Sequence, residues 1–295
     1  MARPRFHNFL AIDWSGAKGP RQKGIALALA GGTGSAPKLL DAKTGWSRED
    51  VLTLLRDNLP PNTLVGMDLG ISLPFADCGA FFPGWDKSPK DAKALWALID
   101  QICAHDPNLE VTSFVDHPDI APFFRRDKGR EGAQFRCDGA EHGSGRFRAA
   151  EHAQGAMGCK PTSNFNLVGA AQVGKSSLTG MRVLHQLHGA IPVWPIDPLP
   201  ATGSVITEIY TTLAAMDAGR SSSRSKMRNY EELNVALGNL NSPPVEGRGA
   251  IDDHSSDALI TAAWLRKVAN DPKKWSPKGL TPQIAQTEGW TFGAV

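Results

Sequence analysis

The segment Phe9-Leu10-Ala11-Ile12-Asp13 is an apolar run that ends in a carboxylate. Two more runs end in the same way, Leu64-Val65-Gly66-Met67-Asp68 and Val205-Ile206-Thr207-Glu208, and Asp257 opens the apolar run at 258–265. An isolated carboxylate is costly to bury, so an acid in apolar company usually has a partner or a cation. In a parallel sheet, ligands gather beyond the carboxyl ends of the strands. The pattern therefore predicts that these four acids form one site at the edge of a sheet.

The order of apolar runs and turns predicts the fold. Gly-rich turns separate three strands between residues 9 and 42, which favours an antiparallel meander. Ser47 is a good N-cap for a helix that Pro60-Pro61 stops, and the run at 64–68 is typical of a buried parallel strand. We therefore predict an α/β fold with a ribonuclease H-like mixed sheet, in which an antiparallel three-strand meander joins parallel strands and helices flank the sheet. We expect a single domain over residues 1–295 with a large insertion at approximately 75–160, including a helix that Ser88-Pro89 opens.

Composition limits the classes of protein that the chain can belong to. Its 295 residues are 41% hydrophobic, enough for a core, and the net charge of +2 means that any nucleic-acid partner needs a local basic patch. The basic N-terminus lacks the apolar stretch of a signal peptide, and no run approaches the roughly 20 apolar residues of a membrane span. The four cysteines lie far apart and form no C-x-x-C pair, which favours reduced thiols in a cytoplasmic protein. We expect no membrane partner, because no long apolar run is present.

The final helix predicts the chemistry of the site. Asp253, Asp257, Ile260 and Trp264 recur at helical spacing, so the Asp257 carboxylate points toward the sheet. Converging carboxylates repel one another unless a cation lies among them, and Mg²⁺ and Mn²⁺ favour such oxygen ligands. Two such ions, about 4 Å apart, activate a water and stabilise the leaving oxygen of a phosphodiester. The sequence thus predicts a metal-dependent nuclease.

Each acid has an expected role in that reaction. We expect Asp13 to bridge two metals, Asp68 and Asp257 to hold one each, and Glu208 to complete the shell or position water. Asp253 is a further candidate ligand, and His254 is a candidate for supporting the ligands from behind. The blander interpretation is that Asp13 and Asp68 cap turns, that Glu208 faces solvent, and that Asp253 and His254 only complement the helix dipole.

A basic region between residues 125 and 148 is the predicted contact for nucleic-acid phosphates. Arg and Lys neutralise backbone charge, and interleaved aromatic rings stack on bases. A solvated loop with a small core of its own would give the same pattern. Residues 220–228 form a second Ser/Arg segment with the same two interpretations, or a disordered one. The basic residues of the first region are Arg125, Arg126, Lys128, Arg130, Arg136, Arg146 and Arg148, and its rings are Phe123, Phe124, Phe135 and Phe147.

Several segments resemble a known family. The family is the domain-of-unknown-function family 429, whose members are predicted nucleases of the ribonuclease H-like superfamily. The resemblance spans nearly the whole chain, is weakest at 75–160, and implies that fold and a nuclease activity at the same acids. The family usually has a proline soon after the strand that ends in Glu208, where this chain has Thr211-Thr212. The matching segments lie at 11–17, 66–74, 173–180, 207–211, 253–259 and 288–293, and the step Asp257-Ala258-Leu259 is similar to the last helix of Holliday-junction resolvases.

Other functions remain open. Residues 169–176 match the P-loop pattern G-x-x-x-x-G-K-[ST], in which Lys175 and Ser176 would bind nucleotide phosphates and Mg²⁺. The same fold can also be a non-catalytic nucleic-acid-binding module. A zinc site from Cys137, His142, His152 and Cys159 fits no common spacing, and no serine lies in a G-x-S-x-G elbow.

Overall fold

The strands form one main sheet and one small hairpin. The structure, a computed structural model, describes residues 5–126, 128–136, 145–169 and 173–295. The main sheet has six strands in the order β3-β2-β1-β4-β8-β7, and β5 and β6 form the hairpin. The strands are β1 (Asn8–Asp13), β2 (Ala26–Gly31), β3 (Lys38–Leu39), β4 (Thr63–Asp68), β5 (Arg125–Arg126), β6 (Arg130–Glu131), β7 (Val193–Trp194) and β8 (Val205–Glu208).

The main sheet is mixed, as the sequence predicts. Strands β1, β2 and β3 pair antiparallel to one another, which is the expected meander. Strand β4 pairs parallel to β1, β8 parallel to β4, and β7 parallel to β8. The α/β class with a mixed sheet flanked by helices is therefore confirmed.

Several of the helices begin at a side chain that caps them. Ser47 accepts a hydrogen bond from the backbone N–H of Asp50 at 2.9 Å, and Asp50 accepts one from the Ser47 N–H at 3.1 Å, so the predicted N-cap is confirmed. The helix predicted from Ser88 begins only at Ala92, because the Asp91 carboxylate caps it. The helices are α1 (Arg48–Asp57), α2 (Ala92–Ile102), α3 (Thr112–Val115), α4 (Ala149–Ala156), α5 (Val173–Gln186), α6 (Thr211–Asp217), α7 (Tyr230–Asn239), α8 (Asp253–Val268), α9 (Pro272–Trp275) and α10 (Pro282–Thr287).

Each face of the main sheet packs against its own hydrophobic core. Leu10 and Ile12 of β1 and Met67 of β4 join apolar residues of α1, α2 and α5, and we call this side the α5 face. Ala11 of β1 and Leu64 of β4 join α6, α7 and α8 on the opposite side, the α8 face. Because successive strand residues point to opposite faces, this alternation decides where each strand-end acid points.

The predicted insertion contributes to the core on the α5 face. Helix α2 packs against α5, and Phe82 makes edge contacts with Phe114, Phe123 and Phe165. Phe123, Phe124 and Phe135 are buried in this core, so the prediction that they stack on bases is wrong for these three rings. The burial of these rings could not be predicted from the Gly- and Arg-rich sequence, because their spacing follows neither the helix nor the strand period.

No helix within the described ranges is both long and apolar enough to cross a membrane.

The cysteines of the described residues differ in state. Cys103 and Cys159 are free and buried, whereas Cys78 is disulfide-bonded. The prediction of reduced thiols is therefore wrong for Cys78, because cysteines that are distant in sequence can meet in the fold.

Candidate active site

Asp13 and Asp68 lie side by side at the carboxyl ends of two central strands. The parallel register pairs Asp13 with Asp68, and neighbouring strands are about 4.8 Å apart. Both residues follow the alternation of their strands onto the α8 face, where Asp13 is buried and Asp68 partly buried. The Thr211 hydroxyl lies 3.4 Å from Oδ2 of Asp68. The predicted convergence of these two acids is thus present in the fold.

Asp257 reaches the same place from the helix that covers the α8 face. Asp252 caps α8 by accepting a hydrogen bond from the Ser255 N–H at 2.9 Å, and the helix packs against β1, β2 and β4. Only 3% of the Asp257 surface is exposed. Burial raises its pKa to about 6 against the opposing effect of Lys226, and the charge of Asp13 adds to the increase. We refer to Asp13, Asp68 and Asp257 as the acid site.

The three carboxylates of the acid site act on one another. Burial raises the pKa of Asp68 well above its usual value, and the negative charges of Asp13 and Asp257 raise it further. Lys226 acts in the opposite direction. Carboxylates that repel one another in this way favour a cation among them.

Lys226 is the cation that the sequence did not identify. Its Nζ contacts Oδ2 of Asp257. Burial lowers the pKa of Lys226, but the charges of Asp257, Asp13 and Asp68 outweigh burial and raise the pKa overall. The segment at 220–228 was predicted only as a phosphate contact, a solvated loop or a disordered stretch. No local signal distinguishes Lys226 from its basic neighbours, because the partner carboxylate lies 31 positions away in the sequence.

His254 and Asp253 lie at the first turn of α8 beside the acid site. Nδ1 of His254 is 2.7 Å from Oδ2 of Asp13, and this hydrogen bond raises the pKa of the imidazole. His254 is therefore hydrogen-bonded to Asp13, and its role in supporting a metal ligand stays a prediction. Asp253 is exposed, and its charge contributes to the raised pKa of Asp257.

Glu208 points away from the acid site. Strand β8 pairs Glu208 with Met67, one residue before Asp68, so Glu208 takes the α5 face that Met67 occupies. The sequence-based expectation that four acids meet in one group is wrong for Glu208, since a one-residue difference in register reverses the face. It is also not among the charges that raise the pKa of Asp68.

Both oxygens of Glu208 are engaged by buried donors. Arg148 donates from Nη2 to Oε1 at 2.6 Å and from Nη1 to Oε2 at 2.7 Å. Oε2 also accepts the Ile71 N–H at 2.8 Å, and the Thr291 hydroxyl donates to Oε1. Arg148 pairs with Glu151 as well, through Nη2 and Oε1 at 2.6 Å. We call Arg148, Glu151 and Glu208 the arginine network.

The predicted phosphate-binding arginines are largely used within the protein. Arg146 is buried in an ion pair with Asp77 at 2.7 Å, and Arg148 belongs to the arginine network, so the prediction is wrong for both. The Arg126 guanidinium pairs with Asp116, and Arg136 with Glu131 at 2.7 Å. Sequence spacing does not reveal these partners: Asp77 and Asp116 lie 69 and 10 positions from their arginines, and Arg136 and Glu131, five positions apart, share no helix.

The P-loop pattern has a different structural use where it can be followed. Residues 170–172 lie outside the described residues, and Lys175 and Ser176 lie in the first turn of α5. Within 145–169 the structure contains no strand of the main sheet, although a P-loop follows such a strand directly. The Ser176 hydroxyl instead accepts a hydrogen bond from the Gly16 N–H at 3.1 Å. A Cβ at Gly16 would lie 2.4 Å from the Ser176 nitrogen, so glycine allows this close approach.

A cleft of about 360 Å³ is lined by Asp68 of the acid site and by all three residues of the arginine network. Lys226 also lines it. Tyr210 and Thr211 contribute to the wall beside Asp68. A substrate in this cleft would have the Asp68 carboxylate and the Lys226 ammonium in its wall.

The described part of the chain contains no cluster of three or more His, Cys, Asp or Glu side chains that is already spaced to hold a metal ion. Two members of the conceivable zinc set, Cys137 and His142, lie outside the described residues. A third, Cys159, contacts the Met216 sulfur at 3.6 Å.

No protein-family profile matches the sequence, and comparisons with curated proteins and with solved structures return no significant match. The resemblance to the domain-of-unknown-function family 429 therefore stays a prediction. The functional argument rests on the geometry of the acid site.

Proposed function

We propose that the protein is a metal-dependent nuclease that hydrolyses nucleic-acid phosphodiester bonds at the acid site. The observation that carries the proposal is the parallel register of Asp13 and Asp68 beneath the buried Asp257 of α8. Three carboxylates at the carboxyl edge of parallel strands are suited to divalent cations and to phosphate chemistry.

The architecture supports a ribonuclease H-like assignment. An antiparallel meander leads through β1 into parallel β4 and β8, and the acids stand at the ends of β1 and β4 and at the start of α8. This is the arrangement that the resemblance to the domain-of-unknown-function family 429 implies. Because one fold hosts many functions, the proposal depends on the side chains of the site rather than on the fold.

The residues of the acid site fit Mg²⁺ or Mn²⁺. All three are oxygen donors, which these ions favour, and the negative charge of Asp13 adds to the burial that raises the pKa of Asp68 and of Asp257. Asp13, Asp68 and Asp257 would hold the metal, with the exposed Asp253 nearby. The chemistry that such an ion supplies is Lewis-acid activation of water and of the phosphoryl oxygens.

The remaining groups position these ligands. His254 holds Oδ2 of Asp13 through its Nδ1, and Thr211 lies against Oδ2 of Asp68. Glu208, which the sequence predicted as a metal ligand, instead positions the chain that follows Asp68. It accepts the Ile71 N–H and so fixes the loop that follows Asp68, while Arg148 locks Glu208 itself.

The cleft beside Asp68 and Lys226 is the proposed place of the scissile phosphate. The Lys226 side chain is about half-exposed, so its ammonium is available to a phosphate oxygen as well as to Asp257. With Arg146 and Arg148 committed to internal ion pairs, Lys226 replaces them as the expected phosphate contact.

Cleavage assays test the proposal. Labelled single-stranded, duplex and branched DNA and RNA are incubated with Mg²⁺ or Mn²⁺ and with wild-type, Asp13→Asn or Asp86→Asn protein. We expect Asp13→Asn to lose at least about a hundredfold in cleavage rate, since even residues that merely support metal ligands are worth 10–100-fold. Asp86 is exposed and takes part in no ion pair found among the described residues, so Asp86→Asn should cleave like the wild type.

The same assay separates the other functions. Equal cleavage by wild-type and Asp13→Asn protein would reject the acid site as the catalytic centre. Binding of nucleic acid without metal and without cleavage, unaffected by Asp13→Asn, would identify a non-catalytic module. Binding of ATP or GTP that Lys175→Ala abolishes would identify a P-loop-type protein.

A further inference from the structure

The Lys226 ammonium lies against one carboxylate of the acid site. Its Nζ contacts Oδ2 of the buried Asp257, and its side chain is 46% exposed. A metal ion bound by the same three carboxylates would meet this positive charge at short range. We propose that Lys226 and a divalent cation compete for the acid site, so that Lys226 sets the affinity of the site for metal. The inference rests on the proposed function.

The Lys226 ion pair can open without a change in the fold. Its side chain is 46% exposed and makes its contact with Asp257 through one flexible stem. The main chain around it is fixed, because Met227 is buried and the Lys226 carbonyl accepts a hydrogen bond from Arg220 at 2.9 Å. Only rotation of the side chain is needed to withdraw Nζ from the carboxylates.

Arg148 shows what a permanent internal cation requires. Only 1% of the Arg148 side chain is exposed, and its planar guanidinium grips Glu208 through two hydrogen bonds and Glu151 through others. Lys226 has a half-exposed side chain and a single carboxylate contact. The acid site therefore holds an exchangeable cation, whereas the arginine network holds a fixed one.

Competition predicts a weakened apparent affinity for metal. When a site is open in only a fraction of molecules, the apparent dissociation constant rises in inverse proportion to that fraction. If Lys226 fills the acid site in about nine of ten molecules, its removal should tighten metal binding about tenfold. Removal of a residue that merely supported the site would weaken binding instead.

Titration with Mn²⁺ alone, followed by the electron paramagnetic resonance signal of the free ion, tests the inference without substrate. The full chain is compared as wild type, Lys226→Met, Lys226→Arg and Lys226→Met/Asp13→Asn. Met keeps the apolar stem and removes the charge, while Arg keeps the charge. We expect Lys226→Met to bind Mn²⁺ at least about tenfold more tightly than the wild type, and Lys226→Arg to bind no more tightly. Asp13→Asn should abolish the gain.

Unchanged or weaker Mn²⁺ binding by Lys226→Met would overturn the competition. An increase in Mn²⁺ affinity that persists in Lys226→Met/Asp13→Asn would also overturn it, as would the absence of Mn²⁺ binding by every variant. Thermal unfolding of each variant shows whether the fold is intact, and Lys226→Gln replaces Lys226→Met if the latter does not fold. Cleavage assays on the same samples keep the two proposals apart. Cleavage that depends on Asp13, together with unchanged Mn²⁺ affinity in Lys226→Met, would reject the competition and retain the nuclease. Tighter Mn²⁺ binding by Lys226→Met, with no cleavage by any sample, would retain the competition and reject the nuclease.

Discussion

The acid site and the arginine network are two groups of carboxylates that contribute to one cleft but differ in how their charges are balanced. In the arginine network, Glu208 receives two hydrogen bonds from Arg148, one from the Ile71 N–H and one from the Thr291 hydroxyl. In the acid site, Asp257 pairs with the half-exposed Lys226 ammonium, and Asp13 with the exposed His254 imidazole. One group is fully compensated by fixed donors, and the other is not.

This difference distinguishes a structural from a functional use of the same residue type. A compensated network holds the chain in one arrangement, and breaking it leaves a charge buried without a partner. An under-compensated group costs free energy in the folded state and retains attraction for an external cation. We therefore assign stability to the arginine network and chemistry to the acid site.

The largest effect is expected from breaking the arginine network. Arg148→Met leaves Glu151 and Glu208 buried without their cation, and such a loss typically destabilises a protein by about 3–5 kcal/mol. Urea denaturation measures the change in the free energy of unfolding. Arg136→Met removes the exposed pair with Glu131 and serves as the control, with no measurable change expected. Equal stability of Arg148→Met and wild type would show that the network is not structural.

A smaller effect, of opposite sign, is expected in the acid site. Asp68→Asn removes a charge that burial and two neighbouring carboxylates disfavour, so it should raise the free energy of unfolding at pH 7.5 by up to about 2 kcal/mol, the upper range of single stabilising substitutions. The folded-state pKa of Asp68 lies above its unfolded value, so ionisation destabilises the fold as pH rises through that range. The gain should therefore shrink toward pH 4, where the wild-type carboxyl is protonated. Urea denaturation at both pH values would contradict the prediction if Asp68→Asn were less stable at pH 7.5.

The smallest effect concerns pH. Asp257 has a pKa of about 6, and a protonated carboxyl is a poor metal ligand, so Mn²⁺ affinity should rise with pH through that value. Between pH 5 and pH 7 the change should be about tenfold, which corresponds to about 1.4 kcal/mol. Protonation of His254 beside Asp13 acts in the same direction. Mn²⁺ titrations across this range check the result, and an affinity independent of pH would remove Asp257 from the proposed ligands.

Local patterns were sufficient to predict much of the sheet and most of the acid site. The antiparallel meander, the parallel β4 and the Ser47 N-cap follow from periodicity and turn residues, which act over a few positions. Asp13 and Asp68 are recognisable because each ends an apolar strand, and Asp257 because it opens an apolar helix. Such signals are local, so the sequence carries them without knowledge of the fold.

Other features depend on contacts between distant parts of the chain. The face of Glu208 depends on a one-residue register between β4 and β8, and the use of Arg146 depends on Asp77, 69 positions away. Phe123 and Phe124 share a core with apolar residues of α2 and α5, and Lys226 reaches Asp257 across 31 positions that include α7.

The sequence by itself determined the antiparallel meander, the parallel strand β4 and the three acids that converge, two at strand ends and one in a helix, because hydrophobic period is a property of short segments. Only the tertiary structure decided which buried charges are balanced. Whether a buried charge is neutralised depends on strand register and on ion-pair partners that are distant in sequence, such as Arg148 for Glu208 and Lys226 for Asp257. Neither can be identified from a short segment.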